Sequence, residues 1–264
     1  MKICIVALVC FFASAIGSVC GIGGGVIIKP VLDALGIMDV ASVSFLSGCT
    51  VLSMSVVALY GNMKHKTVFR FRKPFAWTIT AGSVLGGLLG KSAFRVITGN
   101  MENKNRIGAV QAAVLLCLTA ATLFYHCRKT GKTAGTGNIS NTPLIFAVGA
   151  VLGILSSFLG IGGGPMNLAA LTFLFSMETK EAALYSIHVI LFSQTAGLCA
   201  TLVTKTVPRF PAAMLFLMSG CGILGAFAGA WMNKKADNQT VDKCFAVLLF
   251  VIIAISLYNI FRYR

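Results

Sequence analysis

Apolar residues run along this chain in blocks of about 20, the length that crosses a bilayer core, rather than in the alternation of a half-buried strand. In the first half such blocks occupy the N-terminal run to residue 20, then 41–60, 74–90 and 107–127. In the second half they occupy 143–159, 182–204, 210–232 and 244–261. Two apolar segments, 26–37 and 165–177, are too short to span comfortably and read as half-helices or re-entrant pieces. In hydrocarbon every backbone polar group needs an internal partner, so long apolar blocks of this kind form helices. The expected fold is an all-α polytopic membrane protein: two repeats of about four transmembrane helices each, with a short broken segment after each glycine-rich stretch. The repeats are bounded as 1–127 and 143–264, joined by a polar linker over 128–142. Residues 1–20 also imitate a cleavable leader, with Lys2, an apolar run and small residues at 15–18. The equivalent segment 143–159 lies deep inside the chain, so the first copy is expected to belong to the fold.

Each short segment follows a glycine cluster, Gly21-Ile22-Gly23-Gly24-Gly25 and Gly160-Ile161-Gly162-Gly163-Gly164. Glycine weakens a helix interior and readily takes positive φ, so each cluster should interrupt its helix. Broken helices at membrane depth are tolerated where protein buries them or where they line a cavity; close packing through small residues is the plainer alternative. An offset of 139 residues relates the two clusters, and also relates Gly86 to Gly225 and Gly90 to Gly229. Gly82 pairs with Gly220 at 138, and Ala41 and Ser44 align best with Ala182 and Tyr185 at 141. A shared offset over separated features argues for an internal repeat.

Composition sharpens the class. The 264 residues are 57% hydrophobic and 11% charged, with net charge +15. The basic residues sit in short connections rather than on a periodic face. That is the distribution of a membrane protein, not of a nucleic-acid surface. If the short segments re-enter without crossing, thirteen basic residues fall on one face and eight on the other, with all seven acidic residues on the latter. If they cross, the repeats become inverted and the count is twelve to nine. Loop charge therefore favours four spans per half, parallel repeats, and both termini and the linker in the cytoplasm. A multi-pass protein of the cell membrane is expected. The nine cysteines lie mostly in apolar runs without a C-x-x-C pair and read as small hydrophobes.

No nucleophile, metal cluster or acid–base pair stands out, so an enzyme is not expected, nor a cofactor or metal. Gly90-Lys91-Ser92 imitates the end of a phosphate-binding loop, but Leu85 stands where that motif needs glycine, and Lys91 falls in an outer connection. Candidate substrate contacts are Gly21, Gly23, Gly24 and Gly25 with Gly160, Gly162, Gly163 and Gly164, where freed amides attract anions. Lys29 is the basic residue within a broken segment and could counter an anion, or could snorkel to the interface. Asn167, three residues beyond Gly164, is a cavity candidate. Ser44 and Ser47 recur at helical spacing in 41–60, and Tyr185, Ser186, His188 and Gln194 occupy the equivalent segment. His188 is ionisable within a span, a functional position by default, although a neutral histidine bonded to a neighbouring helix explains it as well. No Asp or Glu is expected within a span.

These features resemble the sulfite exporter TauE/SafE family of membrane transporters. The resemblance rests on size, on duplicated halves, and on a G-x-G-G-G segment near the start of each half. Val26-Ile27-Ile28-Lys29-Pro30 follows the first cluster as in the family, with Lys29 in place of an apolar residue. Pro165 directly follows the second cluster, and Ala169 stands where Pro30 would map. Ala41-Ser42-Val43-Ser44 also fits. The resemblance implies secondary transport of small sulfur-containing or organic anions such as sulfite, sulfonates or sulfoacetate. The substrate site is expected between the two glycine-rich segments. The implied partners are a small anionic solute and the lipid bilayer, with no nucleic acid and with a homo-oligomer left open. A membrane assembly protein that does not transport is the alternative.

Overall fold

The computed structural model describes residues 2–63, 73–99, 104–129 and 141–263. The connection bearing Lys64 to Arg72 and most of the 128–142 linker lie outside the described residues. Among those described, the chain forms ten helices and no strand: α1 (Lys2–Cys20), α2 (Gly25–Leu35), α3 (Val40–Met63), α4 (Lys73–Gly99), α5 (Lys104–Lys129), α6 (Thr142–Leu159), α7 (Gly164–Leu174), α8 (Thr179–Val203), α9 (Ala212–Lys235) and α10 (Asn238–Arg262). Seven of them are long and apolar enough to cross a membrane. The polarity is that of a protein solvated by lipid. Phe216 is 76% exposed and Phe261 70%, while Ser47, Thr50 and Ser186 are 0% exposed. Apolar side chains cover much of the outside, and these hydroxyls are buried within.

Glycines set the closest helix contacts. A methyl at Gly86 or Gly90 of α4 would overlap the Ala150 or Ile154 carbonyl of α6, and one at Gly225 or Gly229 of α9 would overlap Phe11 or Ala15 of α1. Small residues thus let backbones touch, which drives association where lipid removes the usual hydrophobic gain. Gly220 does not share this role: a methyl there would meet nothing within 4 Å, so its match to Gly82 is not mirrored in packing.

The same contacts give the helix directions. α1 rises alongside α9, since Ala15 meets Gly229 and the Val19 carbonyl accepts from Asn233 Nδ2 at 3.1 Å. α3 also rises with α9, from Thr50 against Gly222 to Gly61 against Ala230. α1 and α3 therefore run the same way, and α2 must carry the chain back between them. The Pro30 and Asp33 carbonyls of α2 accept from Asn259 and Arg262 of α10 at 2.9 and 3.0 Å, which sets α2 parallel to α10. α10 in turn runs against α5, with Gly108 beside Tyr263 and His126 beside Phe245. α4 runs with α6, as the Gly86 and Gly90 contacts show, and with α8.

The series α1–α5 and α6–α10 consequently run in opposite senses. Both termini lie on one face, together with the α8–α9 connection, where the Ser42 hydroxyl donates to the Arg209 carbonyl at 3.0 Å. The end of α5 and the start of α6 lie on the other face. This corrects the parallel arrangement that loop charge favours, in which termini and linker share a face. The acidic residues are corrected too. Asp39 sits on the terminal face against Ser42, whereas Glu178, Asp237 and Asp242 sit on the opposite one. Asp33 is buried within α2, so a carboxylate does lie at membrane depth.

Candidate functional site

The glycine clusters end α1 and α6 and turn the chain into α2 and α7. Gly21 and Gly23 adopt φ of 70° and 73°, and Gly160, Gly162 and Gly163 adopt 66°, 81° and 76°. Side chains rarely enter that region, which is why the turns are built from glycine. The two turns meet each other between α3 and α8. A methyl at Gly164 would overlap the Ile22 carbonyl, and reciprocally one at Gly25 would come within 2.8 Å of the Ile161 carbonyl oxygen. Ideal Cβ positions at Gly23 and Gly162 lie 3.4–3.7 Å from side-chain carbons of the same two residues, Val51 and Ile190. The clusters thus pack directly on one another under an apolar lid, and open space lies to one side of them.

That space is a cavity of about 210 Å³. Its walls come from five helices and from the α8–α9 connection, which brings Thr206 and Pro208 to its outer end on the terminal face. Ser44 of α3, Ser156 and Ser157 of α6, and Ser193, Gln194 and Thr201 of α8 bring hydroxyl and amide groups to a wall that Ala41, Phe45, Leu198 and Pro208 complete with apolar surface. Gly160 stands against Ser44 Oγ at 3.0 Å from its ideal Cβ. The Gln194 amide fits between two glycines, with Oε1 3.2 Å from an ideal Cβ at Gly48 and Nε2 3.3 Å from one at Gly162.

Of the residues expected from sequence, Ser44, Gly160 and Gln194 line this cavity. Ser47 and Asn167 lie against the turns instead. Ser47 Oγ is 3.1 Å from an ideal Cβ at Gly25, and Asn167 Oδ1 is 3.3 Å from one at Gly163. Those two oxygens and Ser186 Oγ are buried without a hydrogen-bond partner among the described residues. Lys29 is not presented to the cavity. Its Nζ donates to Gln111 Oε1 at 2.7 Å and pairs with Asp33 at 3.4 Å, one turn along α2. The Gln111 amide nitrogen donates onward to the Phe158 carbonyl at 2.6 Å. A buried lysine with a carboxylate four residues away neutralises itself locally. His188 and Tyr185 are also placed elsewhere. The imidazole packs edge-on against Trp77 and tilted against Phe192, with centroids 5.4 and 4.9 Å away. Tyr185 is fully buried in the core against Phe75. Contacts make Ala183, not Tyr185, the counterpart of Ser44: Gly21 meets Ala183 as Gly160 meets Ser44, an offset of 139 rather than 141.

Sequence reading missed Lys91, Gln111, Ser156, Ser157 and Thr201 of the lining. The apolar block stops at Gly90, which puts Lys91 in a connection by sequence, but α4 continues to Gly99. Ser156 precedes Gly160 by one helical turn, a spacing that could have pointed to it.

Comparison with known proteins places the chain among membrane proteins. The chain is 23% identical over 274 residues to a probable membrane transporter protein of Bacillus subtilis, covering 96% of each chain. It is 26% identical over 210 residues to a probable membrane transporter protein of Methanocaldococcus jannaschii, covering 75% of this chain and 72% of that one. With the family model for the sulfite exporter TauE/SafE matching residues 6–257, the chain belongs to that family of membrane proteins.

Proposed function

We propose that this protein is a secondary transporter of small sulfur-containing or organic anions, of the sulfite, sulfonate or sulfoacetate class, and that the polar cavity beside the second glycine turn is its substrate site. The observation that carries this reading is the cavity itself. It sets serine, threonine, glutamine and lysine side chains among apolar ones, lies inside a protein with an apolar exterior, and extends to the α8–α9 connection on one face. A lipid-solvated bundle has no packing reason to keep such a lining, because polar groups at membrane depth are costly unless they serve a path. The glycine faces that an assembly role would use are occupied within the chain, α4 on α6 and α1 on α9, which favours transport over that alternative. Matching contacts at an offset of 139 support an internal repeat of inverted sense, the architecture in which two halves exchange access around a central site. The direct test is flux of radiolabelled sulfite into proteoliposomes of the purified protein. Folded protein that moves neither sulfite nor a sulfonate would overturn the reading.

We also propose an orientation. With the observed helix directions, the face of the α3–α4 connection and the linker carries twelve basic residues against eight opposite, Lys29 and Lys91 aside. The positive-inside rule then puts that face in the cytoplasm and both termini outside, reversing the expectation from sequence. Single cysteines at positions 66, 135 and 238 should label from the cytoplasm, and those at 100 and 206 from the other side. Labelling of 66 and 206 from one side would refute the inverted arrangement.

A further inference from the structure

Lys91 is the one charged side chain that lines the cavity among the described residues. It comes from α4 and reaches the seam with α8, where its ammonium donates to the Gly197 carbonyl. The same carbonyl accepts from Thr201 Oγ1 at 2.9 Å. An ideal Cβ at Gly197 would stand 3.5 Å from the ammonium nitrogen, an ordinary van der Waals contact. The other lysine at this depth is committed elsewhere: Lys29 pairs with Asp33, and Gln111 between it and the cavity has both amide atoms bonded. No carboxylate contributes to the lining among the described residues. The wall therefore combines a cation with the Ser44 hydroxyl and the Gln194 amide, while the Ser193 and Thr201 hydroxyls donate to the Ile190 and Gly197 carbonyls of their own helix. A low-dielectric pocket with that donor set favours an anion and disfavours a cation. Its volume, about 210 Å³, is below the range of drug-sized ligand sites, roughly 300–1,000 Å³, and suits a compact oxyanion.

We infer that Lys91 is the charge-selecting residue of this protein, binding a small oxyanion that reaches the cavity from the face bearing the termini. This rests on the transport reading above. The position related to Lys91 by the offset of 139 is Ala230, so the chain supplies the cation on one side of the pseudo-symmetric pair.

The test uses the purified full-length protein, sulfite as anion and dimethyl sulfone as a neutral probe of similar size. Binding is read by titration calorimetry, and folding by size-exclusion profile and melting temperature. Lys91→Gln keeps a donor for the Gly197 carbonyl but removes the charge. It should weaken sulfite binding about tenfold or more and leave the titration with dimethyl sulfone the same as in wild type. Lys91→Arg should stay within about threefold of wild type, because the charge remains. Ser44→Asp sets a carboxylate in the same cavity with Lys91 intact and should weaken sulfite binding to a similar degree. If Lys91→Gln fails to fold, Ser44→Asp decides the matter. Sulfite binding unchanged in folded Lys91→Gln, or in Ser44→Asp, would overturn the assignment of Lys91 while leaving transport standing. A folded wild-type protein that neither binds nor moves any anion would overturn both.

Discussion

The α1–α2 and α6–α7 hairpins carry the same five-residue glycine pattern and end in different surroundings. At the first turn Gly21 is sealed by Ala183. At the second, the matching Gly160 faces Ser44 and opens on the polar cavity. The short helices diverge as well. α2 starts from Gly24 in a right-handed conformation, with φ of −65°, and holds the buried Lys29–Asp33 pair. α7 starts from Gly163 in the left-handed region, with φ of 76°, has Pro165 in its first turn, and has Leu168 and Thr172 where α2 has the ion pair. Glycine thus supplies the freedom to turn at both places. What the opposing helix presents to the turn decides whether space and polarity result.

The largest effect that separates the hairpins should come from the ion pair. Lys29→Met would leave the Asp33 carboxylate buried without its cation, which costs about 3–5 kcal/mol. Lys29→Met with Asp33→Leu should recover most of that loss. Melting temperatures of the single and double variants check this, and an unmoved single variant would remove the energetic difference between α2 and α7.

Next in size are the contacts between the turns. Gly164→Ala drives a methyl into the Ile22 backbone, whereas Gly25→Ala presses on the Ile161 carbonyl oxygen at 2.8 Å and a Val51 methyl at 2.7 Å. Both should destabilise within or above the roughly 1–3 kcal/mol typical of overpacking, Gly164→Ala the more. A reversed order in thermal unfolding would mean that the turns do not interlock as described.

The smallest stability change, and the most informative for transport, belongs to the central glycines. Alanine at Gly23 or Gly162 must adopt positive φ, a penalty of roughly 1–2 kcal/mol. Their surroundings differ. The new methyl at Gly162 would lie 3.3 Å from the Gln194 amide of the cavity wall, while that at Gly23 would meet ordinary contacts at 3.5 Å. Flux per folded molecule should fall further in Gly162→Ala than in Gly23→Ala. Equal losses would mean that the cavity side of the second turn has no special part in transport.

Much of this protein is determined by its sequence alone. Hydropathy is a sum of transfer free energies residue by residue, so it places each helix in or out of hydrocarbon without knowledge of its neighbours. The two turns are equally local, because glycine is the residue that takes positive φ without strain. The glycine contacts of α4 and α9 are legible for a similar reason: no other residue lets two backbones touch. The remainder depends on how faces are turned toward one another. On whether α2 and α7 carry the chain across, loop charge favours the wrong answer, because thirteen to eight exceeds twelve to nine by a single residue. Contacts such as Ala15 with Gly229 and Thr50 with Gly222 settle it, by making α1 and α3 parallel. The partner of Lys29, the seat of Lys91 on the α4–α8 seam, and the turn that borders the cavity were likewise decided by tertiary structure. Each depends on electrostatics and close packing between groups far apart in the chain, and those terms exist only once the helices have taken their places.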